Sequence, residues 1–420
     1  MPDRTVAPVI HPIDQVSLQE AKEVCLDNGI RLYYVNAGQQ PVMRLEIIFN
    51  AGKWYENRPG LSYFTGKMLT EGTDKKTGLE ISALFDQLGA FVEVTSGFDH
   101  INLTVHLLTR HLSTLLPLIT ELISQPAFRE GELHNIKQIK KQRLLVDLQK
   151  TSFVAAQKFT SKVFGEEHPY GKLLDIENID STSAEMVMKF YQKQLKGNFE
   201  IVVAGKVDVQ DLKSINELLG QEPKLAGKSP DVPIHNYQPS ELLVEKDDSL
   251  QSSVWMGMSF INRDHPDYIE ILVVNEILGG YFGSRLMRNI REDKGYTYGI
   301  RSGISCLKHG SLWVISTDVK KEFRNQTIAE IIREIQILQN EPVPHEELTS
   351  VKNYMLGTFV SETDTPFAVV DKFKTIHYSG LGYSYYKKYF KTIREIDSER
   401  IQELAQKYLV VNNLSKVVVG

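Results

Sequence analysis

"ELHNIKQ" at Glu132–Gln138 returns as "ELTSVKN" at Glu347–Asn353, an offset of 215 residues. Both copies follow a long amphipathic stretch and a Pro-containing bend. Further along, "SFVAAQKF" (Ser152–Phe159) matches "PFAVVDKF" (Pro366–Phe373), and "IDS" at Ile179–Ser181 matches Ile396–Ser398. "IVVAG" ending at Gly205 then matches "VVVG" ending at Gly420, so the offset stays between 214 and 217 throughout. Helices of similar periodicity look alike by chance, but chance does not hold a near-constant offset from 132 to 205. The chain therefore reads as an internal duplication, one structural unit used twice.

Each half shows the same coarse order. "MRLEIIFNAG", "FVEVTS" and "INLTVHLL" in the first half, and "SSVWMGMSF", "TYGIRSGIS" and "SLWVISTDV" in the second, are alternating or apolar runs that read as strands. "LSTLLPLITELIS" and "NQTIAEIIREIQILQ" space their apolar residues by three and four, the stripe a helix lays against a sheet. The fold class expected is α+β: two homologous domains, each a mainly antiparallel sheet with helices packed mostly on one face. "GQEPKLAGKSPDVPIHNYQPS" (Gly220–Ser240) breaks every period and reads as a connection. The domains are placed at 1–222 and 241–420, with a linker at 223–240.

Composition narrows the function classes. With 420 residues, 42% apolar and 24% charged, the chain can bury two cores. A net charge of −5 leaves no broad basic field, which argues against nucleic-acid binding and against an electrostatically held membrane protein. Cys25 and Cys306 are far apart in sequence and read as buried free thiols in a reducing compartment. The N-terminal "MPDRTVAPVIHPIDQVSLQEAK" has neither a secretory nor a transit pattern, and no apolar run reaches the roughly 18 residues of a membrane span. A soluble bacterial protein of the cytoplasm is expected, or of the periplasm if a signal has been removed.

Several separate stretches then carry a family resemblance. They are "NAGKWYENRPGLSYF…MLTEGT", "LGAFVEVTS", "HPYG" (His168–Gly171), "IVVAGKV" and "LGGYFGSRLMRNIREDKGYTYGI". Together they make the chain resemble a bacterial-type subunit of the pitrilysin family of zinc metallopeptidases, relatives of the mitochondrial processing peptidase. The resemblance implies two duplicated domains facing each other across a peptide-holding chamber. Active members of that family carry an inverted motif, His-x-x-Glu-His. Two His four apart leave one helical face and reach one zinc, while the Glu activates the bound water. Here Tyr63 stands at the first ligand position, Gly66 at the general base and Lys67 at the second ligand. A phenol, a bare backbone and an ammonium make no zinc site. The family's further Glu ligand comes from a later helix, where "KKQRLLVDLQK" offers Asp147 as the nearest carboxylate. Lys67 is expected to project toward Asp147 or toward solvent.

Other metal patterns fail on inspection. His345-Glu346-Glu347-Leu348-Thr349 lacks the second His of a forward motif, and His100, His106 and His111 read as surface or capping residues. "GGYFGS" reads as a turn and helix start. Arg291 and Tyr298, by contrast, keep the family's spacing, and the resemblance implies that they reach across the chamber to position the peptide and hold the developing oxyanion. Without the resemblance they read as a helix-terminal Arg291–Glu292 pair before Gly295, with a packing tyrosine in the next strand.

Three functions follow from this reading. The first is a non-catalytic subunit that binds no cofactor itself and supplies Arg291, Tyr298 and chamber wall to a homologous zinc-bearing partner acting on peptides. The second is a structural or peptide-holding homologue without a role in proteolysis, similar to the respiratory-complex core subunits of this fold. A self-sufficient peptidase is the weakest, because no other catalytic set stands out. Whether the isolated chain is a monomer or a homodimer stays open.

Overall fold

The structure is a computed structural model describing residues 17–232 and 235–420. The start of the N-terminal stretch and two linker positions therefore lie outside the described residues. The first half contains β1 (Lys22–Cys25), β2 (Arg31–Asn36), β3 (Val42–Phe49), α1 (Leu61–Met68), α2 (Gly78–Gln87), β4 (Phe91–Ser96) and β5 (Ile101–Leu108). It continues through α3 (Leu112–Ser124), α4 (Glu130–Asp147), α5 (Thr151–Phe164), α6 (Ile176–Ser181), α7 (Ala184–Phe190), β6 (Phe199–Gly205) and α8 (Val209–Leu219). The second half opens with β7 (Glu241–Val244), β8 (Gln251–Ser259), α9 (Tyr268–Asn275), β9 (Thr297–Leu307) and β10 (Gly310–Lys320). It closes with α10 (Arg324–Asn340), α11 (His345–Ser361), α12 (Pro366–His377), α13 (Ser384–Glu395), α14 (Ser398–Tyr408) and β11 (Ser415–Val419).

Among the described residues the strands form two sheets, in the orders β1-β2-β6-β3-β5-β4 and β7-β11-β8-β10-β9. Apart from β1 the orders correspond strand for strand. The parallel pairs correspond too: β2 with β6 and β7 with β11, while the other pairings are antiparallel. Gly205 and Gly420 end equivalent strands at φ 119 and φ 148, a backbone that a side chain would strain. One sequence match is displaced. In the first copy "IDS" ends α6, and the helix equivalent to α14 starts after the Ser183 cap; in the second copy Asp397 is itself the cap. The structural offset there is 214.

The sheets are apolar on both faces, and alternation along each strand shows why. Met43, Leu45, Ile47 and Phe49 of β3 point into the core made with the first half's own helices. The opposite face of that sheet, with Tyr33, Val35, Ile48, Val202 and Ala204, is covered by Val370 and Phe373 of α12, from the second half. The exchange is reciprocal. Ala155, Phe159 and Val163 of α5 cover Leu312, Val417 and Val419 on the second sheet. Helices thus lie on both faces of each sheet, the second layer being lent by the other half.

Polar groups fix the register of this exchange. Glu46 on β3 is buried, with the Arg44 guanidinium at 2.9 Å and the Lys374 ammonium at 2.6 Å, and Asp371 closes the network 2.7 Å from Arg44. Glu200 takes His377 at 2.9 Å one strand over. At the other seam Trp54 stacks on His309 at 3.8 Å, and His168 packs beside Trp54 and Phe164. His100, read from sequence as a surface or capping residue, instead packs against Tyr378 of the second half at 4.4 Å. The thiols also differ from expectation: Cys25 is exposed and Cys306 only partly buried, and both are free.

Phe159→Ala empties a site between the halves and is expected to cost about 3–5 kcal/mol in urea unfolding. A loss under about 1 kcal/mol would show that α5 does not hold the second sheet. A pH dependence follows from the seam histidines. Burial first, and for His168 then the neighbouring His235, His309 and Lys53, lowers His100 and His168 to about 4. Their folded values lie below the unfolded value near 6.5. The unfolded chain therefore takes up protons first, and stability should fall as pH drops from about 6.5 toward 4. Equal urea midpoints at pH 7 and pH 5 would contradict this.

Candidate functional site

The erased motif sits on α1, and α1 is built with care. Gly60 precedes it at φ 97, and Glu56 accepts hydrogen bonds from the Gly60 amide at 3.1 Å, the Ser62 amide at 2.7 Å and the Ser62 hydroxyl. A carboxylate there meets the free amides and positive end of the helix. Burial pushes the Glu56 carboxyl up, and these donors oppose that.

The three motif positions have been given other work. A β-carbon on Gly66 would lie 3.2 Å from both Val94 and Ile101, so the general-base position is now a contact between α1 and strands β4 and β5. The Lys67 ammonium donates to the Val94 carbonyl at 3.0 Å. It forms no ion pair with Asp147, one of the two destinations expected, because Asp147 is engaged by Lys150 at 2.7 Å and Arg143 at 3.9 Å; Lys67 stays partly exposed. Helix α4 presents Lys140 to Tyr63, its ammonium 4.5 Å above the ring, and Arg143 of the same helix lies close enough to act on the phenol. Burial raises the Tyr63 phenol, keeping it neutral. Among the described residues no group of three or more His, Cys, Asp or Glu is placed to hold a metal ion. Glu347 of the His345 stretch is taken by a two-pronged pair with Arg285, at 2.9 and 2.8 Å.

Beside Tyr63 opens a cavity of about 390 Å³, lined on one side by Phe153 and Gln157 of α5 and on the other by Lys53, Phe98 and Lys140. Lys53, Glu56 and Lys140 were not singled out from sequence. Lys140 lies in "IKQIKKQR", whose charge reads as a solvated face.

In the second half, Arg291 belongs to a wide-wound helical segment, Met287–Asp293, that ends at Gly295 with φ 65. Such segments are rare and recur at functional sites. The Arg291 guanidinium rests 4.5 Å above the Phe282 ring and lies 3.7 Å from Glu292. Tyr298, at the start of edge strand β9, is 96% exposed, and Phe282 is 64% exposed. No hydrogen bond joins Arg291 to Tyr298 among the described residues. Between Phe282 and Gly299 lies a second cavity of about 580 Å³, reached also by Ser152 at the start of α5. Helix α5 thus borders both cavities. "GGYFGS" closes one wide-wound turn, Glu276–Gly280, and leads into the next helix. Burial lifts Glu276 there to about 7, a carboxyl that sequence reading passed over.

Comparison with known proteins agrees with this geometry. The profile described as Insulinase (Peptidase family M16) matches residues 31–173, and the one described as Peptidase M16 inactive domain matches 181–355. The chain is 24% identical over 378 residues to a non-peptidase homolog, YmxG, of Helicobacter pylori, covering 87% of this chain and 85% of the relative. It is 22% identical over 276 residues to the mitochondrial-processing peptidase subunit beta of Rattus norvegicus, covering 63% of this chain and 55% of the relative. The crystal structure of a peptidase M16 inactive domain from Pseudomonas fluorescens superposes with a TM-score of 0.88 at 24% identity, covering 96% and 98% of the two chains. Two matched profiles of one family, a shared fold along nearly the whole chain and a motif helix without ligands give one conclusion: the chain belongs to peptidase family M16, the pitrilysin family, as an inactive-type homologue.

Proposed function

We propose that this chain is the non-catalytic subunit of a two-subunit zinc peptidase. A homologous partner with an intact His-x-x-Glu-His helix binds the zinc and activates water. This chain presents Arg291 and Tyr298 to the partner's peptide substrate and forms part of the chamber wall. The observation that carries the reading is the contrast between the two sites: the motif positions are absorbed into packing, whereas Tyr298 stands 96% exposed on an edge strand. Phe282, stacked on Arg291, and Tyr298, at the start of edge strand β9, are both exposed large aromatics, surface that a partner or substrate would cover. The rat relative is itself named as a subunit, which fits this division of labour. The Arg291–Glu292 pair and the Phe282 stack favour the second reading, a structural or peptide-holding homologue.

Kinetics in the assembled complex separate the two. Arg291→Ala or Tyr298→Phe is expected to lower kcat about 10²–10³-fold, the loss of one oxyanion-type donor, with KM and partner binding nearly unchanged. A local ion pair predicts at most about 1 kcal/mol of stability and no kinetic defect, and that outcome would sink the subunit reading. Restoring the motif letters is expected to fail. Gly66→Glu alone should cost about 1–3 kcal/mol by overpacking against Val94 and Ile101. The triple variant Tyr63→His, Gly66→Glu, Lys67→His should show no stoichiometric zinc, since α4 presents Lys140 where a third ligand would be needed. One zinc per chain by metal analysis would contradict this.

A further inference from the structure

Three ammonium groups, Lys53, Lys140 and Lys172, line the cavity beside Tyr63. The one lining carboxyl, Glu56, is committed to the start of α1. Lys53 donates to the Tyr170 carbonyl at 3.0 Å and Lys140 sits over Tyr63, and among the described residues none of the three lysines has a carboxylate within ion-pair distance. Burial lowers both Lys53 and Lys140, with Arg143 adding to the effect at Lys140, while Glu56 and Asp147 oppose it from beyond ion-pair distance. Between the lysines, Phe98, Phe153 and Leu174 give the cavity apolar walls, and at about 390 Å³ it has room for a large side chain.

We propose that this cavity beside Tyr63 is an anion site that binds a peptide carboxylate with an apolar side chain beside it. The carboxylate comes from a peptide C-terminus or from an acidic side chain, and both meet the same lysines. That the carrier is a peptide rests on the proposed function; the charge preference rests on the lysines alone.

The test uses the purified chain without a partner, so its outcome is independent of kinetics in the complex. Titration calorimetry compares acetyl-Ala-Ala-Ala-Phe as free acid, the same peptide as its amide, acetyl-Ala-Glu-Ala-Phe amide, and inorganic phosphate. At least one carboxylate peptide should bind about tenfold or more tighter than the neutral amide, the scale of one charge-assisted hydrogen bond. The free acid binding better assigns the C-terminus, and the Glu amide binding better assigns a side chain. Lys140→Gln with Lys172→Gln should abolish the preference and leave the melting curve and neutral-peptide binding unchanged. Lys140→Arg should retain it. Equal binding of acid and neutral peptides, no binding of any peptide, phosphate binding as tightly as the peptides, or a preference that survives the double substitution would each overturn the proposal.

Discussion

The reciprocal exchange of α5 and α12 is the constraint on which the rest of the molecule depends. Each half builds a sheet that its own helices cover on one face only, and leaving the other face wet would expose a large apolar surface. The duplicated helix covers it, but on the opposite copy. The two halves are thereby held in one relative placement, with Glu46, Arg44, Asp371 and Lys374 setting the register at one contact. Such a buried ionic network adds less stability than its short distances imply, because desolvation offsets the attraction. Its contribution lies in admitting one alignment of α12. Helix α5, anchored on the second sheet, also borders both cavities, so the same exchange that completes the cores shapes them.

Loss of the zinc motif is a structural commitment as well as a chemical one. Gly66 brings α1 close to β4 and β5, and Lys67 spends its charge on the Val94 carbonyl. Tyr63 packs edge-on to Phe64 under the Lys140 ammonium and lines the neighbouring cavity. Tyr63, Gly66 and Lys67 each contribute to local packing or hydrogen bonding, and Tyr63 also lines a neighbouring cavity. The second half followed another course. Its Arg291 and Tyr298 positions stay at the surface, where an exposed aromatic on an edge strand has no folding role of its own.

Much of the fold was legible in the sequence because duplication makes two weak patterns confirm each other. "INLTVHLL" alternates cleanly along β5, and "SLWVISTDV" falls within β10 as the repeat requires. The helix exchange was not legible. "SFVAAQKF" announces a buried face but carries no information about which sheet it meets, since apolar contact is non-directional. The destination of Lys67 was hidden for a similar reason: a flexible ammonium takes whatever acceptor is near, and the choice between Asp147 and a strand carbonyl is made by tertiary geometry. Among the site residues the motif positions were reached only through the family resemblance of the stretches around them, since Tyr63, Gly66 and Lys67 carry none of the motif's residue types. Lys140 and Glu276 could not be reached, because neither a lysine in a basic helix nor a glutamate in an apolar one has a local signature of its role.

The central claim is that this chain completes a zinc peptidase without holding the zinc. It is tested most directly by mixing it with a homologous chain that carries His-x-x-Glu-His and measuring both metal content and hydrolysis of an unstructured peptide. The account predicts one zinc per pair, retained on the partner, with chelator-sensitive hydrolysis that requires both chains and disappears when either is omitted. Hydrolysis by this chain alone, or by the partner at an undiminished rate without it, would contradict the account.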